Sequence, residues 1–409
     1  MNLRRVADYD VLLLAALIWF LGKFLRYAFP PLFEPLQGSY GVSNAVIGTA
    51  FTGFMIVYAL VQFPSGAVAD RVGAVRVIAA GVGIAGLGAL VLVVDSPFPV
   101  LVAAMLVIGA GTGAHKTVAV RLLSRVYPAR TGRALGAHDT VGALGGVVAP
   151  AIIVVLLSAP PALALVLDRL PGADWRALFL ASGVVALALA AAFLLRVPSR
   201  LPADADRGVE TDDPDPGARD YLALFRDPRF TVFVLVTIAF SFAYNGMVAF
   251  LPLYLSQEAG LATTTASLLY SALFAVTFVQ LVTGDLSDRV GRFPVMVAAL
   301  GLAAVSLVGV VLLSAAGPLT LGVLVVALGL GAHGYRPVRG AYLMDLLPDW
   351  IAGGGLGVVR TLLMTAGALA PAVVGTVADF SGFRPAFGLL AAAMALAAVG
   401  ALGLWVTEG

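Results

Sequence analysis

The sequence predicts an all-α membrane protein of twelve transmembrane helices in two pseudo-symmetric six-helix bundles, and three observations carry that prediction. The first is composition. Of 409 residues, 60% are hydrophobic and only 12% charged, with a mean hydropathy of +0.99, whereas soluble domains have roughly 25% charged residues. The second is that apolar stretches of about 20 residues, the length that crosses a bilayer, recur along the whole chain instead of once at its start. The third is an internal repeat. Gly109 to Arg121 reads GAGTGAHKTVAVR and Ala327 to Arg339 reads ALGLGAHGYRPVR, with six of thirteen positions identical at an offset of 218 residues.

Taken in order, the apolar periodicity places helices at about 10–33, 43–67, 75–95, 98–124, 131–158, 175–195, 230–256, 262–286, 294–315, 318–345, 351–378 and 383–406. The 46 glycines and 23 prolines are compatible with this reading, because membrane helices tolerate both and pack closely through small residues. Residues 197–228 break the apolar pattern with Pro, Asp and Arg and read as a flexible cytoplasmic linker. The expected organisation is therefore an N-terminal bundle over 1–196, the linker 197–228, and a C-terminal bundle over 229–409. Arg4, Arg5, Arg71, Arg76, Arg125, Arg130, Arg133, Arg289 and Arg292 fall on one side of this arrangement, against Arg169, Arg176 and Arg384 on the other. The excess of basic residues marks the cytoplasmic side, so both termini are expected in the cytoplasm of a multi-pass plasma-membrane protein.

A second duplicated motif sharpens the reading. Gly66, Asp70, Arg71 and Gly73 follow the second predicted helix, and Gly284, Asp288, Arg289 and Gly291 follow the eighth, again 218 residues apart. This G-x-x-x-D-R-x-G pattern, twice in a twelve-helix chain, resembles the major facilitator superfamily over essentially the whole length. Arg76 trails the first copy, but Pro294 stands in its place in the second. Gly142 to Pro150 is only partly similar to the glycine-proline motif of the family's antiporters. The resemblance implies two bundles around a central cavity and transport by alternating access. It also implies that Asp70 and Asp288 gate by lying near helix starts of the opposite half, Asp70 near Gly353. A carboxylate facing a helix N-terminus is favourable by about 0.3–1 kcal/mol.

A charge at mid-bilayer costs at least about 2.5–3.5 kcal/mol, so charges within predicted spans are expected to face the bundle interior. The only two lysines, Lys23 and Lys116, fall there, as do all three histidines, His115, His138 and His333. Arg26 shares a helix face with Lys23 and Tyr27, and Arg336 shares one with His333. Arg360 lies roughly 14 Å into the eleventh helix at 1.5 Å per residue. Acidic residues opposing these cations are few, with Asp139 beside His138, Glu34 at the outer end of the first span and Asp345 near the inner end of the tenth. The basic set points to an anionic substrate held by Lys23, Arg26, His115, Lys116, His333, Arg336 and Arg360 through charge-assisted hydrogen bonds. His138 and Asp139 are coupling candidates. The plain alternatives are that Arg121 and Arg339 snorkel to the interface, that the histidines are packing residues, and that Asp139 is a structural partner for Arg360.

Other classes have no support in the sequence. With no cysteine, thiolate metal sites and disulfides are excluded. The net charge of +2 gives no reason to invoke nucleic acid. Gly109 to Thr117 has His115 where a phosphate-binding loop requires glycine, and no catalytic or metal-binding motif occurs elsewhere, so neither an enzyme nor a cofactor is expected. The expected activity is secondary transport of a small organic or inorganic anion by a monomer in a lipid bilayer, coupled to a proton or sodium ion. Proton-coupled efflux of drugs or metabolites is the alternative, and a transporter-like receptor without flux is the reading from another class.

Overall fold

The computed structural model describes residues 9–159, 164, 165, 167, 169, 175–201, 218–348 and 352–408. Arg4, Arg5 and the acidic part of the linker lie outside them. Fifteen α-helices are described: α1 Asp10–Tyr40, α2 Asn44–Val72, α3 Ala74–Val91, α4 Phe98–Gly113, α5 His115–Val126, α6 Thr131–Leu157, α7 Arg176–Arg196, α8 Ala218–Leu224, α9 Pro228–Leu253, α10 Thr263–Ala275, α11 Val279–Val290, α12 Arg292–Leu312, α13 Pro318–Leu346, α14 Ala352–Ser381 and α15 Phe383–Glu408. They supply twelve stretches long and apolar enough to cross a membrane, with no strand among the described residues.

Three departures from the expected helices have local causes. The first span runs on to Tyr40 through Pro30, Pro31 and Pro35 and ends at Gly41 in the left-handed conformation. The fourth span is interrupted at Ala114 between α4 and α5. Just before the break, Thr112 Oγ1 donates to the Ile108 carbonyl at 2.7 Å, a back-bond of the kind that bends helices. The eighth span is likewise split by a 3₁₀ turn at Val276–Phe278, where Thr277 Oγ1 donates to the Phe274 carbonyl at 2.6 Å. Part of the expected linker is also ordered as α8, whose Leu224 reaches the Gly355 position on α14.

Contacts divide the chain into two compact units, Met1–Gly41 with Gly53–Thr211, and Val42–Thr52 with Asp212–Gly409. In the first unit α1 packs on α6 and α7, and α3 packs on α4 and α7; in the second α9 packs on α14 and α15, and α12 packs on α13 and α15. Span for span, these are the same pairings, so the duplication seen in sequence is also a duplication of packing. The second unit includes the first turns of α2, where Asp379 of α14 accepts from the backbone N–H groups of Asn44 at 3.0 Å and Ala45 at 2.8 Å.

Close approach of helices explains the repeated glycines. A Cβ at Gly111 would lie 2.4 Å from the Gly81 carbonyl oxygen and 2.5 Å from Ala85 N; one at Gly331 would lie 2.5 Å from the Ala299 oxygen and 2.6 Å from Ala303 N. The same pair of helices touches in each unit, but the equivalent glycines are 220 residues apart whereas the histidines are 218 apart. The two histidines therefore have different surroundings, His115 against His138 and His333 against the Leu273 carbonyl. The break at Ala114 shifts His115 relative to α3, and His333, on the unbroken α13, faces a different neighbour. The trailing glycines of the other motif, Gly73 at φ 96° and Gly291 at φ 93°, link α2 to α3 and α11 to α12 in backbone that L-residues rarely adopt.

Candidate functional site

In the first unit, the break at Ala114 brings His115 and Lys116 to the start of α5, facing α6 and α1. His115 Nε2 lies 3.2 Å from His138 Nε2, His138 Nδ1 lies 3.0 Å from Asp139 Oδ1, and Lys116 Nζ pairs with the same Asp139 oxygen. Both histidines are buried, while Asp139 is half exposed. Trp19 of α1 lies nearly parallel to both imidazoles, with centroids 5.9 Å from each. The ammonium of Lys23 sits 4.9 Å from the Trp19 centroid and that of Lys116 sits 5.0 Å from it. Two cations within about 10 Å of each other thus share one aromatic ring, and each such contact is worth about 0.5–2 kcal/mol. Arg26, one turn further along α1, stacks between Tyr27 and Tyr58, at 5.5 Å from each centroid.

The fold makes room for this cluster with glycine. A Cβ at Gly142 of α6 would fall 2.0 Å from Trp19 Cδ1, and one at Gly145 would fall 2.5 Å from the Phe20 carbonyl oxygen and 3.0 Å from Lys23 Cβ. The glycine run that resembled a family motif only in part is the seat on which Trp19 and Lys23 rest. Trp19 itself was missed in the sequence, although it stands four residues before Lys23 and therefore on the same face of α1.

Within the second unit the predicted residues are used differently. His333 is buried, with Nε2 3.1 Å from the Leu273 carbonyl and 3.4 Å from Thr277 Oγ1, at the 3₁₀ turn that splits the eighth span. Donation to a carbonyl displaced from regular helix gives it a structural use. The Arg336 guanidinium lies 4.4 Å from the Tyr244 ring centroid. Arg339 lies 6.0 Å from the Tyr335 ring, and the Tyr335 hydroxyl lies 3.3 Å from Thr237 Oγ1. Arg360 is exposed on α14. Asn245 donates to the Ser241 carbonyl one turn back along α9 at 2.9 Å, and Ser241 Oγ donates to the Leu363 carbonyl of α14 at 2.6 Å.

Asp70 forms a two-pronged ion pair with Arg121 of α5, with N···O distances of 2.7 and 3.2 Å. Arg121 therefore has a carboxylate partner within its own unit. Asp139 pairs with Lys116 of its own unit. Arg71, Arg76 and Asp288 are exposed, and Arg289 pairs with Asp285 one turn away at 2.8 Å. At Gly66 and Gly284 an added Cβ would meet neighbours only at 3.8 and 3.9 Å, so packing does not require glycine there. Among the described residues no group of three or more His, Cys, Asp or Glu side chains is arranged so that it could hold a metal ion.

The model of the Major Facilitator Superfamily matches residues 12–327 and 275–409. The chain belongs to this superfamily. Among its relatives, a protein of Cupriavidus pinatubonensis named as a probable 4-methylmuconolactone transporter is 24% identical over 395 residues, covering 96% of this chain and 89% of the relative. Multidrug resistance protein D of Escherichia coli is 25% identical over 268 residues, covering 66% and 63% of the two chains. Among solved structures, a bacterial homolog of the human lysosomal transporter Spinster superimposes with a TM-score of 0.77 at 17% identity, covering 97% of this chain and 96% of that one. The superfamily member described here is a multi-pass membrane transporter, not an enzyme.

Proposed function

We propose that this transporter moves a small organic or inorganic anion across the plasma membrane by alternating access, with both termini in the cytoplasm. The observation that carries the reading is the cluster in the first unit. Lys23, Arg26 and Lys116 gather around the rings of Trp19, Tyr27 and Tyr58, and Lys116 pairs with Asp139. Lys116 is part-exposed and Asp139 more so, at 18% and 55% of their side chains, so an incoming carboxylate or phosphate can compete for the ammonium. The aromatic floor of Trp19 suits the apolar body of an organic anion. The name of the Cupriavidus relative points the same way, because muconolactones carry a carboxylic acid. The name of the Escherichia relative supports the second reading, proton-coupled efflux of drugs; there the same Trp19 floor would take an apolar substrate and Asp139 the proton.

Uptake into proteoliposomes tests the proposal. Labelled phosphate, sulfate, gluconate and succinate are offered under imposed ion gradients, with tetraphenylphosphonium as the cationic counterpart. Saturable flux of at least one anion is expected. Binding without flux under every gradient would instead favour a receptor.

The duplicated Asp-Arg motif is assigned to gating in this proposal. Asp70→Asn is expected to slow transport severalfold while leaving the unfolding temperature almost unchanged. The Asp70–Arg121 pair is about 40% exposed on each side, and exposed pairs contribute about 0–1 kcal/mol. Transport at the wild-type rate in that variant would remove the assignment.

A further inference from the structure

We infer that His115, His138 and Asp139 form a proton line that loads one proton onto Asp139 when an anion takes its place on Lys116, so that substrate and proton move together. This rests on the anion reading above and adds the coupling ion and its path. The hydrogen-bond inventory fixes the direction. With Asp139 ionised, a neutral His138 donates Nδ1–H to Asp139 Oδ1, and its Nε2 must then accept from His115 Nε2–H across the 3.2 Å contact. That leaves His115 Nδ1 as the receiving end of the line, buried and without a hydrogen bond of standard geometry, with the Ala15 carbonyl placed to accept from it once it is protonated. Beside His115 lies a cavity of about 10 Å³, bordered by Ile18, Trp19, Gly22, Gly111 and Thr112, which is room for one water.

The proton count balances. A proton arriving at His115 Nδ1 is followed by transfer of the Nε2 proton of His115 to His138 Nε2, and of the Nδ1 proton of His138 to Asp139 Oδ1. Both imidazoles end neutral with their tautomers exchanged, and one net proton resides on the carboxyl. While Lys116 holds Asp139, that last transfer is opposed by the adjacent ammonium. An anion that takes over Lys116 removes the opposition, and the protonated Asp139 no longer competes for the ammonium. Each event therefore favours the other, and the linkage is reciprocal. Among the described residues of this unit, the charged groups around the line are Lys116 on α5 and Lys23 and Arg26 on α1. The other elements packed here bring Thr112 of α4, Tyr58 of α2, and Gly81 and Ala85 of α3.

Histidine-nitrogen NMR of the full-length protein in nanodiscs tests the line without any substrate, since the chain has only three histidines. At neutral pH the nitrogen shifts are expected to show His138 protonated on Nδ1 and His115 on Nε2, and Asp139→Asn is expected to change both signals while leaving His333 in place. The opposite tautomer in either ring, or a response to Asp139→Asn confined to one ring, overturns the line. The substrate half is read in proteoliposomes with the four anions named above. A pH gradient is expected to drive accumulation in the wild type, and Asp139→Asn is expected to reduce the accumulation ratio by about tenfold or more, with counterflow still measurable. Full pH-driven accumulation in Asp139→Asn overturns the coupling. If the wild type exchanges none of the four anions, the anion reading fails, and the NMR result decides the proton line separately.

Discussion

Lys116→Gln is expected to raise the anion concentration needed for half-maximal uptake by about 10–100-fold, because a hydrogen bond to a charged group contributes about 1.5–3 kcal/mol and each 1.4 kcal/mol is a factor of ten. The cost to folding should be far smaller. Asp139 is more than half exposed at its side chain, so water can solvate the carboxylate left behind, and His138 still donates to it at 3.0 Å. Lys23 remains on the Trp19 face, which is why residual transport is expected instead of complete loss. Concentration-dependent uptake alongside thermal unfolding separates the two effects. An unchanged half-saturation constant in a stably folded variant would remove Lys116 from the site.

The second large effect concerns the helix contacts on which the site stands. Gly111→Leu and Gly331→Leu are each expected to abolish recovery of monodisperse folded protein. Overpacking a core commonly costs about 1–3 kcal/mol when side chains can yield. Here the obstacle is backbone at 2.4–2.6 Å, so two helices must separate, in a molecule whose stability is expected to be on the order of 5–15 kcal/mol. Gly136→Ala and Gly388→Ala are the controls, because nothing lies within 4 Å of either added Cβ. Normal yield and an unfolding temperature close to the wild type for Gly111→Leu would show that α3 and α4 do not need this approach.

Much of the architecture was readable in the residues. Hydropathy and length mark a membrane span reliably, and all twelve expected spans coincide with helices of the structure. The interruptions were not readable, because hydropathy carries no sign of a side chain bonding back to its own helix, as Thr112 does on Ile108, or of a close approach between helices, as at Gly113, where an added Cβ would lie 2.5 Å from the Tyr58 carbonyl oxygen. The duplicated histidines show the limit most clearly. Sequence identity aligned His115 with His333, yet the packing glycines around them are offset by two more residues, so one ring meets another imidazole and the other meets a backbone carbonyl. The basic residues of the first unit were found from the cost of burying charge. What joined them was missed, since Trp19 carries no charge and the glycines of α6 reveal their purpose only once Trp19 lies against them.

The central claim is that the basic cluster of the first unit binds an anion, and a thermal-shift screen of the purified wild-type protein tests it most directly. The panel comprises carboxylates, phosphate, sulfate and nitrate, with hydrophobic cations and neutral amphiphiles as the opposing set. The account predicts that one or more anions raise the unfolding temperature in a saturable manner and that Lys116→Gln weakens the response. Stabilisation by cations or neutral amphiphiles alone would contradict it.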